Sequence, residues 1–470
     1  MNKTYKIKFG TDGWRAIIAQ DYTIQNLERV AEATAKWILQ LPNSHKKAVI
    51  GYDCRFGGEL FMRRTAEIFA AYNIQTLCSD GFVSTPMVSM ATKYLKADAG
   101  IVITASHNPP SYNGFKIKAN YGGPATPTEI NKLESLINDD FSLQTETFET
   151  YLKNNLISLY NLEDLYIEDI KKKIDFKLLN KENIQIAYDA MYGAGQNAMK
   201  TLFPNGRFLH CEYNPGFQNQ SPEPISRNLQ EFEQLLKSNP KIDSGLATDG
   251  DADRIGLYDK NGQFVDSHHI LLLLIEYLTQ YKKMNGLVVN SFSCTSKINL
   301  LCKTYGLEQI VTKIGFKYIC EIMTKKEVLV GGEESGGIAI AGHIPERDGI
   351  FIGLTIWEYM CQSGKSLNNL VQNLYDKVGT FWVDRYDLQI PNELKKEVVQ
   401  KCQNDFYTKF GSLQVSHSEK VDGVKFHLGE EKWAMIRPSG TEPLLRVYAQ
   451  GKNKEETMAI LSEVKSSLIA

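Results

Sequence analysis

Four stretches of the N-terminal third decide the fold class: VIGYD (49–53), FMRRTAEIFAAY (61–72), TPMVSMATKYL (85–95) and GIVITAS (100–106). Short β-branched apolar runs alternate with amphipathic segments long enough for helices, which is the βαβ rhythm of a sheet with parallel strands. Outward from there the rhythm repeats. NIQIAYDA (183–190), SGLATD (244–249) and RIGLYD (254–259) read as strands of a second unit; the helical HHILLLLIEYL (268–278) followed by GLVVNS, SKINLLCKTYG and EVLVGG reads as a third. After about 375 the pattern changes to one long helical stretch (391–408), closely spaced strands at VKFHL, KWAMI and LLRVYA, and a closing helix (453–469), as in a small α+β domain. These breaks predict units at 1–155, 156–260, 261–375 and 376–470. A chain of 470 residues is the right size for several domains.

Composition limits the partners. Fifty-three Lys+Arg against 55 Asp+Glu give a net charge of -2, so no overall positive field draws in nucleic acid or anionic lipid. The eight cysteines form no CxxC pair and are too dilute for a disulfide framework, which points to reduced thiols and a cytoplasmic setting. No run approaches the ~20 apolar residues needed to span a bilayer, and the N-terminus lacks a signal-peptide core.

Chemistry concentrates in five strings. Asp249-Gly-Asp251-Ala-Asp253-Arg254 sets three carboxylates at alternate positions after an apolar strand. An EF-hand loop would need Gly and Glu where Arg254 and Lys260 stand, and three oxygen ligands without His or Cys suit Mg²⁺. Ser106 ends the strand GIVITAS and precedes His107, Asn108 and Pro-Pro, at the carboxyl end of a strand where open α/β sheets bind ligands. Adjacent residues rarely pair as base and nucleophile, and no GxSxG elbow occurs. Lys116, ten residues on, offers a cation to an anionic group on Ser106. In RPSGTEP (437–443), Arg437 with Ser439, Gly440 and Thr441 forms a loop suited to gripping phosphate. FGTDGWRA (9–16) presents Arg15 on a second glycine-rich turn, and GGEESGG (331–337) offers Glu333 and Ser335 to sugar hydroxyls. Gly193-Ala-Gly195-Gln-Asn-Ala198 matches a dinucleotide fingerprint only formally, because no clean strand leads to its acidic partner.

The strings TDGWRA, TASHNP, DGDADR, GGEESGG and RPSGTEP, in this order over about 440 residues, resemble the α-D-phosphohexomutase family, which includes phosphoglucomutases and phosphomannomutases. The resemblance implies a four-domain α/β architecture, with three similar α/β domains and a smaller C-terminal α+β domain around a central cleft. It implies that Ser106 carries a phosphoryl group and that Asp249, Asp251 and Asp253, with Ser106, hold Mg²⁺. Arg15, Arg254, His107 and Lys116 would line the transfer site; Gly315, Glu333 and Ser335 would read the sugar; Arg437, Ser439, Gly440 and Thr441 would hold the distal phosphate. The expected reaction interconverts hexose 1-phosphate and hexose 6-phosphate through a 1,6-bisphosphate, with glucose 1,6-bisphosphate as activator. The chain would act as a monomer or weak homodimer on small sugar phosphates. A mannose or dual mutase and a serine-phosphate sugar phosphatase are the alternatives. Two positions depart from family patterns: Gly337 stands where several relatives have His, and Arg347 stands where glucose-type relatives have Lys. Arg is not deprotonated in proteins, so proton transfer is expected to fall to another group such as His343. The two departures favour glucose as the sugar.

Overall fold

The structure is a computed structural model that describes residues 5–438 and 444–469. Its strands fall into four main sheets with a small two-stranded one. The first runs in the order Trp14–Ile17, Tyr112–Ala119, Ala99–Ile103, Lys47–Tyr52, Gln75–Ser79, Ile157–Tyr160, with the last four parallel. The second is Phe264–Val265, Ile255–Asp259, Ser244–Thr248, Ile186–Asp189, Arg207–Leu209, and the third is Gln309–Thr312, Leu287–Ser291, Val328–Gly332, Ile338–Ile340. The fourth is antiparallel in every pairing: Trp382–Gln389, Leu444–Gly451, Trp433–Pro438, Val424–His427, His417–Glu419.

Two of the expected divisions shift. Ile157–Tyr160 adds a parallel edge to the first sheet, Thr76 facing Ile157, so that unit runs past 155. Phe264–Val265 pairs back onto Leu257 and Tyr258, carrying the second sheet past 260. Composition marks where the chain becomes polar; an edge strand with one wet face is polar too. The same cause hides Trp382–Gln389, whose residues are all exposed or half-buried although they pair along their whole length with Leu444–Gly451. The helix expected over 391–408 is Asn392–Gln403.

Each of the first three sheets repeats one device. A fully buried strand reverses into an antiparallel partner, and the connecting loop carries the polar residues: Ala99–Ile103 into Tyr112–Ala119, Ser244–Thr248 into Ile255–Asp259, and Val328–Gly332 into Ile338–Ile340. Burial on both faces explains why these strands read as continuous apolar runs. The helices between them are set by local signals. Ser84 caps Thr85–Tyr94 with Pro86 in its first turn, and Asp348 caps Gly349–Ser363, which ends at the left-handed Gly364. Ser267–Glu276 and most of Gly349–Ser363 are buried around their circumference. They belong to one hydrophobic cluster reaching from Val49 to Phe381, which fuses the first three units.

The fourth unit has its own core, including Phe410, Val424, Phe426, Ile436 and Leu461. It docks on the third through Trp433, Met435 and Tyr448 against Phe292. Gln450 adds hydrogen bonds, accepting from Thr295 Oγ1 (2.7 Å) and donating to Ser296 Oγ (2.7 Å). All eight cysteines are free. No helix of the described residues is long and apolar enough to cross a membrane.

Candidate active site

The loop after Ala99–Ile103 turns sharply at Ser106, whose φ of +52° lies in the left-handed region. Such strain persists only where surroundings enforce it, and here Arg55 does so. Its guanidinium donates to four carbonyl oxygens of the loop, Ser106 (2.5 Å), Asn108 (2.6 Å), Pro109 (2.8 Å) and Tyr112 (3.0 Å). Arg55 is itself buried against Asp53 and stacked over Phe217. The Ser106 hydroxyl donates to Asp249 Oδ2 at 2.6 Å and lies 3.3 Å from His107 Nδ1. The left-handed turn thus brings two sequence neighbours into contact, against the sequence expectation. Burial, reinforced by Arg254, Arg15 and Lys116, holds the His107 imidazole well below its usual pKa, so it is neutral at pH 7. Arg15 donates to Asn108 Oδ1 at 2.7 Å from the first strand.

The second hairpin supplies Asp249, Asp251 and Asp253, all fully buried, with one oxygen of each within 4.8 Å of the others. Backbone N–H groups of Asp253 and Arg254 donate to Asp249 Oδ1 (2.9 and 3.1 Å), and Thr85 Oγ1 donates to Asp251 Oδ2 (2.5 Å). Lys116 reaches Asp251 (2.6 Å), Asp253 (2.9 Å) and Asp12 (2.9 Å). Burial pushes the Asp249 carboxyl well up, with the like charges of Asp251 and Asp253 adding to it. For Asp251 burial acts in the same sense but Lys116 overrides it, holding that carboxyl well down. Asp251 Oδ1 and Asp253 Oδ1 are buried without a hydrogen-bond partner among the described residues. An all-carboxylate set with orphaned oxygens and incomplete neutralisation fits a hard divalent cation such as Mg²⁺.

Glycines let the loops touch. A Cβ on Gly250 would sit 2.6 Å from the Ser106 carbonyl oxygen, and one on Gly336, where φ is +90°, would sit 2.7 Å from that of Ile255. Through Gly336 the third hairpin joins the carboxylate loop, with Ile255 N–H donating to its carbonyl at 3.2 Å. Glu333 accepts from Gly315 N–H at 2.7 Å, which brings together two residues expected to read the sugar. Burial, with Glu334 beside it, pushes its carboxyl up to about 7. Ser335 follows, half-buried.

Arg347 pairs with Asp253 (2.7 Å) and with Asp12. Its Cδ would lie 2.5 Å from a Cβ on Gly337, so the glycine and the arginine are one packing solution and any larger side chain at 337 would displace the arginine. His343 is not brought to this cluster. Its Nε2 meets Asp348 (2.8 Å), its Nδ1 lies 3.1 Å from Lys173 Nζ, and its ring stacks on Phe351. Arg254 points its guanidinium toward Glu223, 3.7 Å away.

In the fourth unit Arg437 Nε pairs with Asp422 Oδ1 (3.1 Å), and Asp422 Oδ2 accepts from Ile314 N–H (3.0 Å). One carboxylate therefore ties the arginine to the segment next to Gly315. Ser439, Gly440 and Thr441 lie outside the described residues. Asp12, Arg55, Thr85 and Asp422 were not picked out from the sequence. Asp12 sits inside TDGWRA, which was a usable signal; the other three are isolated polar residues whose decisive contacts span 51 positions from Arg55 to Ser106, 166 from Thr85 to Asp251 and 108 from Asp422 to Ile314.

Four family models match in succession: phosphoglucomutase/phosphomannomutase alpha/beta/alpha domain I (residues 6–144), domain II (164–262), domain III (266–378) and the C-terminal domain (392–467). A phosphoglucosamine mutase of Acetivibrio thermocellus is 29% identical over 453 residues, covering 95% of each chain. A phosphoglucomutase/phosphomannomutase of Thermococcus kodakarensis is 28% identical over 465 residues, covering 96% of each. A crystal structure from Thermus thermophilus superposes with a TM-score of 0.88 at 30% identity over all of both chains.

Proposed function

The chain belongs to the phosphoglucomutase/phosphomannomutase family, and from that premise we propose that it interconverts a hexose 1-phosphate and its 6-phosphate by way of a phosphoryl group carried on Ser106. The observation that supports this best is the 2.6 Å hydrogen bond from the Ser106 hydroxyl to Asp249 within the carboxylate triad.

In this reading phosphoserine 106 donates to the free 6-hydroxyl of a bound hexose 1-phosphate. The serine O–P bond breaks as the sugar O–P bond forms, giving a 1,6-bisphosphate that turns end for end and returns a phosphoryl group from position 1. Asp249, Asp251 and Asp253 with Ser106 would hold Mg²⁺, which when bound neutralises charge on the phosphoryl oxygens. Lys116 and Arg347 stand as fixed cations beside the triad, Arg15 bonds the serine loop, and the Arg254 charge acts on His107 in that loop. His107, neutral and 3.3 Å from Ser106 Oγ, is the group placed to take the proton of the attacking hydroxyl. Arg347, with Asp253 and Asp12 holding its proton, serves as a fixed charge. Glu333 and Ser335 would accept the sugar hydroxyls, and Arg437 with Ser439, Gly440 and Thr441 would clamp the phosphate that is not reacting.

Glucose is the first substrate to test, on the pairing of Gly337 with Arg347. A glucosamine phosphate is the second reading, favoured by relatives named phosphoglucosamine mutases. A coupled assay with Mg²⁺, primed with glucose 1,6-bisphosphate, should be run on the 1-phosphates of glucose, glucosamine and mannose. Formation of a hexose 6-phosphate supports the proposal and the ranking of kcat/KM names the sugar. Release of inorganic phosphate alone would make the protein a phosphatase and overturn it.

A further inference from the structure

A second group of ligating side chains lies in the fourth unit. The edge strand His417–Glu419 pairs with Val424–His427, His417 facing His427 and Glu419 facing Lys425. Partners across an antiparallel ladder share a face, as do residues two apart on a strand, so His417, Glu419, Lys425 and His427 all project from one side. Val424 and Phe426 project from the other, into the core. The two imidazoles stack with centroids 4.0 Å apart and planes 7° from parallel. His427 Nε2 meets Glu419 Oε1 at 2.8 Å, while His417 Nδ1 lies 3.2 Å from Ser416 Oγ. One ligand atom from each of His417, Glu419 and His427 lies within 4.8 Å of the others.

We propose that His417, Glu419 and His427 form a binding site for a divalent ion of the zinc class, distinct from the carboxylate triad. Two imidazole nitrogens and one carboxylate oxygen are a donor set for such an ion, with a fourth position open to water; because an imidazole binds metal in its ring plane, the exposed His417 ring would turn out of the stack to share the ion with His427. The triad offers oxygen only, so donor chemistry assigns the two sites to different metals. Metal binding needs neutral imidazoles. Lys425 is the cation facing the site; its ammonium lies against the Phe292 and Trp433 rings, on the side toward the third unit.

An ion here would cross-link the two strands of the hairpin whose connecting turn holds Asp422, the residue that joins Arg437 to Ile314. The hairpin would be stiffened where the fourth unit meets the third.

The test is calorimetric titration of the full-length protein with ZnCl₂ in saturating MgCl₂, which keeps hard-cation sites filled. The wild type should take up a zinc equivalent that His417→Ala loses; because His417 is exposed on an edge strand, that variant should keep the wild-type circular dichroism spectrum. Glu419→Gln should weaken the same equivalent roughly ten- to hundred-fold. Substituting Co²⁺ should give the visible d–d absorption of a nitrogen-containing site in the wild type and not in His417→Ala. No zinc uptake by the wild type in the presence of Mg²⁺, or uptake unchanged in both variants, would overturn the proposal.

Discussion

Arg55→Lys isolates the device that holds the nucleophile. The guanidinium reaches four carbonyl oxygens with two nitrogens, Nη1 to Pro109 and Tyr112, and Nη2 to Ser106 and Asn108. An ammonium has three donors at a single point on a shorter stem, so it keeps the charge opposite Asp53 and loses at least two of those bonds. Charge-assisted hydrogen bonds are worth ~1.5–3 kcal/mol each, so the loss is at least ~3 kcal/mol. Spent on the left-handed turn at Ser106, that amounts to about two decades in kcat. Glu333 and Arg437 touch neither Arg55 nor its loop partners, so KM should move little. The assay is the coupled mutase rate with intact-mass measurement of phosphoserine occupancy and hydrogen exchange over residues 105–112. The expected outcome is a kcat near one hundredth of wild type with faster exchange in that loop alone. A variant with kcat within twofold of wild type, or with its loss confined to KM, would refute the reasoning.

Ser106→Ala should abolish turnover and the phosphorylated mass while leaving calorimetric binding of sugar phosphate nearly intact; phosphate mapped to another residue would contradict the assignment. Glu333, with its carboxyl raised to about 7 against an ordinary 4.5, is protonated in the folded protein where the unfolded chain is ionised. Its burial therefore lowers stability as pH rises from about 4.5 through about 7, and its carboxylate becomes available to sugar hydroxyls only above that range. kcat/KM should accordingly climb across an inflection near pH 7 that Glu333→Gln removes. Arg437→Ala and Asp422→Ala should each lower kcat/KM by roughly ten- to a hundred-fold, a charge-assisted bond of ~1.5–3 kcal/mol in each case. Measured as a double-mutant cycle the two losses should be strongly non-additive, because the residues share one ion pair.

Three of the strings that carry chemistry were legible because each follows a strand that announces itself. GIVITAS, SGLATD and EVLVGG are each built on a short run of buried, mostly apolar or small residues, and the hairpin loop after each strand carries the polar ones, Ser106, the aspartates and Glu333. The resemblance to a known family then named the roles. His343 shows how far such reading reaches: it is a buried histidine in a conspicuous string, yet its partners are Asp348, Lys173 and Phe351. The strands Ile157–Tyr160 and Trp382–Gln389 were missed because edge strands carry polar side chains on a wet face and lack the apolar signature.

By itself the sequence determined the α/β character of the first three units, the smaller α+β unit at the end, and the order in which Ser106, the aspartates and Glu333 occur. These depend on periodicity and on short spacings, which are properties of neighbours along the chain. Only the tertiary structure decided that Arg55 clamps the serine loop, that Asp12, Lys116 and Arg347 form one charge network with the triad, that Gly337 makes room for Arg347, and that Asp422 joins the fourth unit to the third. All but the Gly337–Arg347 contact, which spans ten positions, join residues far apart in the chain, and burial gives the charged ones their force: a charge stripped of water must find a partner, and which partner it finds is settled by how the sheets pack.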